Sequence, residues 1–193
     1  MTVLRFRNVN DEEERIFDVA LALMDEIGYE KMTIRKICEE ANISIGKFYH
    51  YFSSKQELLR FFYDQADKDY LDQCAQSLKG KEIKTQIIDF YTWYGGYLEE
   101  FGVEFVANFF SNQNPAMNTH IYNNPIIAIT DDLIFRAVQD GYKLIGDISV
   151  RDLSCDLCTI VKGAIFDWSV RHGEFSLKDY IHSLLSRCIS GIM

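Results

Sequence analysis

The sequence predicts an all-α protein, and three observations support that fold class. Only 2 prolines and 11 glycines occur in 193 residues, which disfavours a fold of short strands and many turns. Hydrophobic residues form 48% and charged residues 25% of the chain, a composition that can bury a core. Apolar residues recur at three- and four-residue spacing between capping residues, in about nine segments, and no segment is predicted to be a strand.

The amino-terminal part of the chain predicts three helices. The first covers about residues 10–27, with acidic residues over its positive end. Thr33 is the predicted cap of a second helix over residues 34–41. Ser44 is the predicted cap of a third helix, which ends at about residue 51.

Six more helices are predicted after residue 53, each bounded by a cap, a glycine or a proline. They cover approximately residues 54–78, 83–101, 103–110, 125–145, 149–171 and 176–190. The segment 111–124 is polar and is predicted to be a loop. The last two helices are apolar on broad faces, so each needs two neighbours, of which one can be a second subunit.

Charge is distributed unevenly along the chain. The net charge is −9, but residues 31–60 hold six basic and three acidic residues, a local charge of +3. One short basic window on an acidic body is typical of a protein that touches phosphate with a single patch, although a solvated helix face is the simpler interpretation of this pattern alone.

Other function classes have little support in the sequence. We find no glycine-rich phosphate loop, no HExxH pair and no nucleophile placed by a known motif, so neither a catalytic site nor a cofactor is expected. The five cysteines are expected to be reduced, and Cys155 and Cys158 lack the second ligand cluster of a zinc site, so no metal is expected either. With no signal peptide and no apolar stretch near the ~20 residues of a membrane span, a cytoplasmic protein is expected.

Residues 33–55 hold two short helices joined by a tight turn, the helix-turn-helix arrangement whose second helix enters the DNA major groove. At about 100° per residue, the third helix is predicted to turn three side chains toward the core: Ile45, Phe48 and Phe52. Its other side is predicted to present Gly46, Lys47 and His50. Glycine permits close approach of a partner, and lysine neutralises phosphate or donates to guanine.

Two helix starts, after Thr33 and after Ser54, add N–H groups that can bind phosphate oxygens. Lys55 lies in the first turn of the fourth helix, where the helix dipole disfavours a cation. A cation at this position is better explained if an anion approaches, while a surface lysine of no consequence is the alternative.

The segment that contains these two short helices resembles a known family. The segment 33–59 is similar to the DNA-binding signature of the TetR/AcrR family of bacterial transcriptional regulators, through Gly-x-Phe-Tyr-His-Tyr-Phe at 46–52 and Ser-Lys-x-x-Leu-Leu at 54–59. Asn42 stands where glycine is commonest in that family, and Lys47 replaces the usual small residue. The second departure bears on which operator sequence the protein reads.

The resemblance implies a homodimer that binds a double-stranded DNA operator through residues 1–55 and a small-molecule inducer through residues 56–193. The residues implied to hold phosphates are Thr33, Tyr49 and Lys55. The residues implied to face bases or nearby backbone are Arg35, Ser44, Ile45, Gly46, Lys47 and His50. Dimerisation is implied to use the two C-terminal helices, and repression is favoured over activation because it needs only occupancy of the operator. A ligand-binding all-α protein or an enzyme, in either case without DNA activity, is the alternative.

The predicted body is rich in aromatic side chains at helical spacing. Such residues either form the core or line a cavity for an apolar ligand. The candidate ligand-binding residues are Trp93, Tyr94, Tyr97, Phe101, Phe105 and Phe109. His120 and Tyr122, in the polar loop, are candidates for an entrance.

Overall fold

The computed structural model describes residues 12–111, 124–144, 146 and 148–189. Within these ranges it contains ten α-helices and no strand, so the predicted fold class is confirmed. The helices are α1 (Glu12–Ile27), α2 (Ile34–Glu40), α3 (Ile45–Tyr51), α4 (Lys55–Asp69), α5 (Ala75–Leu78), α6 (Ile83–Phe101), α7 (Val103–Phe109), α8 (Pro125–Gln139), α9 (Val150–Val170) and α10 (Leu177–Cys188).

Two predicted helices differ from those observed. A π-helical turn, Tyr70–Cys74, separates α4 from α5, so the predicted fourth helix is two α-helices on one path. The helix that starts at Pro125 ends at Gln139 rather than near residue 145, because Gly141 adopts a φ of +95° and turns the chain away. The predicted start at residue 10 and most of the predicted loop lie outside the described residues.

Helices α1, α2 and α3 pack around a small core that α4 closes. Ile16, Ile37 and Phe48 are fully buried in it, one from each helix, and Leu58 of α4 lies in the same cluster. A fully buried aliphatic or aromatic side chain of this size contributes about 1.5–3 kcal/mol to folding. These four helices form the head of the molecule.

The remaining helices form the body, in which α6 packs closely along α10. A Cβ atom at Gly95 of α6 would lie 2.9 Å from Ile181 Cδ1, so glycine permits this close approach. The turn between α9 and α10 is fixed by Trp168, whose indole N–H donates to the carbonyl oxygen of Phe175 at 2.9 Å. Because α10 starts directly after this turn, the bond sets how α9 and α10 meet.

An aromatic contact joins the head to the body. The ring of Phe17 in α1 lies 5.2 Å from that of Phe61 in α4, between ring centroids. The same ring lies 6.2 Å from Phe101 at the end of α6 and 6.2 Å from Phe105 in α7. A displacement of α6 or α7 would therefore act directly on the first helix of the head. Across the described ranges, none of the helices combines the length and the apolar character needed to cross a bilayer.

Candidate nucleic-acid interface

The two short helices of the head begin at the predicted caps. The Thr33 hydroxyl accepts a hydrogen bond from the Lys36 backbone N–H at 3.2 Å, and the Ser44 hydroxyl accepts one from the Lys47 N–H at 3.1 Å. The turn between α2 and α3 passes through Asn42, whose φ of +51° is one that asparagine tolerates better than most residues. Local sequence thus fixes the helix-turn-helix backbone.

The recognition helix α3 divides into a buried and an exposed side. Phe48 and the cap residue Phe52 are buried, as predicted. The predicted core position of Ile45 is wrong, because this side chain is 51% exposed. Ile45 is the first residue of a helix only seven residues long, and its Cα–Cβ bond tilts toward the N-terminus, away from the core beneath the second turn. Tyr49, one turn later, is 53% exposed, so two large side chains face outward together.

Gly46 lies between these exposed residues in α3. A Cβ atom built at Gly46 would meet only the Ser44 hydroxyl oxygen, at 3.9 Å, and the backbone there is helical. Nothing within the described chain therefore requires glycine at this position. Because Gly46 has no side chain, a partner can approach the backbone of α3 closely at this position.

Lys47 and Tyr51 of α3 both contact Glu12, the first residue of α1. The Lys47 ammonium lies 2.6 Å from Glu12 Oε1, and the Tyr51 hydroxyl donates to Glu12 Oε2 at 3.0 Å. These hydrogen bonds, that of Lys47 first, lower the pKa of the Glu12 carboxyl below its usual value. The lysine predicted to read DNA is thus held by a carboxylate within the same chain.

Two other predicted DNA contacts are exposed. Arg35 of α2 pairs with Glu39 one turn later, with 2.9 Å between Arg35 Nε and Glu39 Oε1, and both side chains remain open to solvent. His50 is exposed, and its ring lies 4.9 Å from that of Tyr51, edge to face. Exposed pairs of the Arg35–Glu39 kind are weak, so Arg35 can exchange its partner for DNA.

Lys55 has partners inside the head. Its ammonium donates to the carbonyl oxygens of Tyr29 at 2.8 Å and of Met32 at 3.1 Å, and it lies 3.8 Å above the centre of the Tyr29 ring. Burial lowers the pKa of Lys55, while the nearby carboxylate of Glu30 raises it. The lysine in the first turn of α4 therefore holds the segment between α1 and α2.

The aromatic residues predicted to bind a ligand mostly stack on one another. Ring centroids of consecutive members lie 4.9–5.7 Å apart along Trp93, Tyr97, Phe101, Phe105 and Phe109. This ladder forms part of the core beneath the head. His120 and Tyr122 lie outside the described residues.

A small cavity in the body lies beside this ladder. Its lining consists of Tyr91, Tyr94, Phe110, Asn124, Ile126, Cys158, Val161, Lys162 and Ile165. Of the predicted ligand-binding residues that the structure describes, only Tyr94 lines it. The cavity volume is about 10 Å³, room for no more than one water molecule. Sequence reasoning missed Lys162 and Asn124, because contacts between helices distant in sequence create the cavity.

Around the cavity, polar groups find partners within the chain. The hydroxyls of Tyr91 and Thr130 share a buried hydrogen bond of 2.9 Å, and burial raises the pKa of Tyr91 well above its usual value. Asn124 caps α8 by accepting from the Ile127 N–H at 3.1 Å. Lys162 interacts with the buried thiol of Cys158, one turn earlier on α9. Lys162 is thus the one cation among the described residues that line the cavity.

An outward stripe on α9 combines small and apolar residues. Phe166 is 70% exposed, Val170 is also exposed, and a Cβ atom at Gly163 would meet nothing within 4 Å. Tyr180 of α10 adds a further exposed aromatic side chain. Among the described residues, no group of three or more His, Cys, Asp or Glu side chains is arranged to hold a metal ion.

Comparison with known proteins places residues 16–60 in the family described as bacterial regulatory proteins, tetR family. Over 49 residues the chain is 41% identical to the transcriptional repressor KstR of Rhodococcus jostii, a match that covers 25% of this chain and 23% of KstR. Over 185 residues it is 23% identical to the transcriptional regulator SAR2658 of Staphylococcus aureus, which covers 93% of this chain and 94% of that protein.

The whole fold also matches solved structures. Thermus thermophilus FadR, a TetR-family transcriptional repressor solved in complex with lauroyl-CoA, superposes with a TM-score of 0.70 at 19% identity. That match covers 94% of this chain and 95% of FadR. Residues 16–60 thus match the tetR family of bacterial regulatory proteins, and the chain as a whole shares the all-helical fold of FadR.

Proposed function

We propose that this protein is a DNA-binding transcriptional regulator that acts as a repressor on a palindromic operator. The observation that carries the proposal is the outward face of α3, where Ile45 and Tyr49 are exposed on either side of Gly46. Apolar groups on such a helix contact thymine methyls, and a tyrosine hydroxyl donates to phosphate. Within residues 12–111, where the head is described, no packing contact explains two large exposed side chains around a stretch of helix backbone without a side chain.

With the exposed face of α3 in the major groove, the other proposed DNA contacts can be assigned. The DNA-binding domain predicted over residues 1–55 meets DNA with Thr33, Tyr49 and Lys55 near phosphates. Bases or adjacent backbone are met by Arg35, Ser44, Ile45, Gly46, Lys47 and His50. The second predicted domain, residues 56–193, which adds most of α4 to the body, senses a small molecule and forms the dimer. This function places the protein in the cytoplasm, where operator DNA lies.

Dimerisation uses α9 and α10 in this proposal. The exposed side chains of Phe166 and Val170, next to the open surface at Gly163, favour close packing of one α9 against its copy. The two α3 helices would then meet successive major grooves, about 34–36 Å apart. Phe166→Glu is expected to yield a monomer in analytical ultracentrifugation that keeps its helical content but loses operator binding, whereas the exposed Lys68→Met should remain a dimer.

Selection of bound sequences from random DNA tests the proposal most directly. A palindromic product is expected, because a symmetric dimer reads two inverted half-sites. The affinity should fall by roughly 10³–10⁵ between 50 and 200 mM salt if six to ten phosphates are contacted. Recovery of no enriched sequence, or binding that ignores salt, would instead favour a ligand-binding protein without DNA activity.

The ligand, in this proposal, enters the cavity between α6 and α9. The walls are mostly apolar, with Lys162 and Asn124 as polar groups, which suits an apolar molecule with one anionic group. The cavity is too small for such a molecule as it stands, so binding must separate these helices. Phe101 and Phe105 then transmit the movement to Phe17 of the head, and ligand and DNA affinities are coupled reciprocally.

Acyl-CoA is the first ligand class to test, because FadR was solved with lauroyl-CoA and an acyl-CoA joins an apolar chain to anionic groups. Calorimetry with lauroyl-CoA, laurate and coenzyme A separates the contributions of the chain and the anion. Lys162→Met should weaken binding of an anionic ligand at least about tenfold, as loss of a charge-assisted bond implies. The matched variant Lys68→Met, on the exposed surface of α4, should bind unchanged.

A further inference from the structure

Glu12 forms an ion pair with Lys47, the lysine of α3. Its carboxylate receives the Lys47 ammonium on one oxygen and the Tyr51 hydroxyl on the other. Lys47 and Tyr51 lie one turn apart on α3, so both bonds hold the carboxylate against the same face of that helix. The side chains of Lys47 and Glu12 remain 44% and 36% exposed, which leaves the pair accessible to DNA.

Such a pair changes what Lys47 can do on DNA. A free lysine on a recognition helix binds any phosphate within reach, which adds affinity without sequence preference. A lysine that is already paired with a carboxylate contributes little binding free energy when it moves to a phosphate, because it exchanges one anionic partner for another. Because an ammonium has three N–H donors, Lys47 can keep its bond to Glu12 and still donate to the O6 or N7 acceptor of guanine.

We infer that Glu12 is a specificity-determining residue: it neutralises the charge of Lys47 and thereby suppresses binding to random DNA. This inference rests on the proposed DNA-binding function. Glu12 contributes no contact to DNA itself. It acts through Lys47, and its effect must vanish when Lys47 is absent.

A double-mutant cycle tests the inference, with binding to random-sequence duplex measured between 50 and 200 mM salt. Glu12→Gln frees Lys47, so the affinity for random DNA should rise and the slope of log K against log salt should steepen by about 0.9. That slope corresponds to an additional loss of about 3.5-fold over this salt range. The ratio of operator to random affinity, for an operator obtained by selection, should fall.

Two further variants distinguish this effect from a general effect of charge. Glu13→Gln removes the same charge from the same turn of α1 and should steepen the slope by much less. In the Lys47→Ala background, Glu12→Gln should change neither the slope nor the affinity ratio. Equal effects of the two glutamine variants, an effect of Glu12→Gln that persists without Lys47, or weaker random binding by Glu12→Gln would each overturn the inference.

The same experiment separates this inference from the function on which it rests. A wild-type protein that binds DNA with a steep salt dependence, but shows no coupling between positions 12 and 47, supports the proposed function and refutes the role of Glu12. A wild-type protein that binds no DNA at 50 mM salt refutes both.

Discussion

The ammonium of Lys55 lies 3.8 Å above the centre of the Tyr29 ring and donates to the carbonyl oxygen of the same residue at 2.8 Å. Its second bond, to the Met32 carbonyl at 3.1 Å, reaches the residue before the cap of α2. Three interactions from one side chain thus fix the segment that leads into the helix-turn-helix. Lys55 therefore contributes to the stability of the head as well as to its positive charge.

Lys55→Met is therefore expected to lower the free energy of unfolding. Methionine keeps the apolar stem but loses the donors to both carbonyl groups, and hydrogen bonds to a charged group contribute about 1.5–3 kcal/mol. A loss of about 1–3 kcal/mol in urea denaturation is expected, with weaker binding to every DNA sequence. Lys68→Met, on the exposed surface of α4, serves as the control. An unchanged urea midpoint for Lys55→Met would show that the observed contacts do not stabilise the head.

The neighbours Phe48 and Tyr49 separate folding from binding in α3. Phe48 is fully buried in the head, and Phe48→Ala should cost about 3–5 kcal/mol through lost burial and the cavity left behind. Tyr49 is exposed, and Tyr49→Ala should change stability by no more than about 0.5 kcal/mol. DNA affinity at fixed salt should nevertheless fall for Tyr49→Ala. A large stability change at Tyr49 would mean that this side chain serves the fold.

Gly46→Ala tests whether the bare backbone of α3 serves a partner. Since a Cβ atom there has open space, stability should stay the same or rise by up to about 1 kcal/mol through helix propensity. The added methyl group should hinder approach to the groove and lower operator affinity in a binding assay. Equal operator affinity with raised stability would show that no surface approaches α3 closely at this point.

How far the sequence predicts this molecule depends on the range of the interactions involved. The helix starts at Thr33, Ser44, Ser149 and Ser176 all appear as predicted, because a cap bonds a backbone N–H only three residues away. Helical periodicity alone placed Ile45 in the core, and this was wrong because a two-turn helix has no fixed buried side at its first residue.

The features that the sequence did not predict all depend on contacts between distant residues. Glu12 and Lys47 are 35 positions apart, and the contact forms only once α1 and α3 pack together. Lys162 lines the body cavity because α9 packs beside α6 and the start of α8, a relationship that no local pattern encodes. The outward position of Gly46, Lys47 and His50 on α3, by contrast, was predicted from helical geometry, and the DNA contacts that the family resemblance implies for them stay a prediction.

The thiol of Cys74 is expected to resist alkylation in the folded protein. Burial raises its pKa to about 11, and the carboxylate of Asp89 adds to this, so the thiolate is scarce at pH 8. Relative to an ordinary cysteine pKa of about 8.5, the thiolate fraction alone predicts a reaction at least about a hundredfold slower. Peptide mass spectrometry after iodoacetamide treatment, with and without urea, measures the ratio. Similar rates in both conditions would mean that the π-helical turn opens readily.

The adjacent residues Gly95 and Gly96 of α6 should respond differently to alanine. At Gly96 a Cβ atom would lie 3.4 Å from Lys178 Cδ, the flexible part of a long side chain. Gly96→Ala should therefore raise stability by about 0.5–1 kcal/mol through helix propensity. At Gly95 the added atom would lie 2.9 Å from Ile181 Cδ1 and 3.2 Å from the Lys178 Cα, so the α10 backbone must move.

Overpacking of this kind costs about 1–3 kcal/mol, and Gly95→Ala should be less stable than Gly96→Ala by about that amount. Urea midpoints of the two variants, measured at one protein concentration, give the difference. If α10 also forms the dimer, Gly95→Ala should weaken self-association in sedimentation equilibrium, while Gly96→Ala should leave it intact. Equal stabilisation by the two substitutions would contradict the close approach of α6 to α10 on which the body is built.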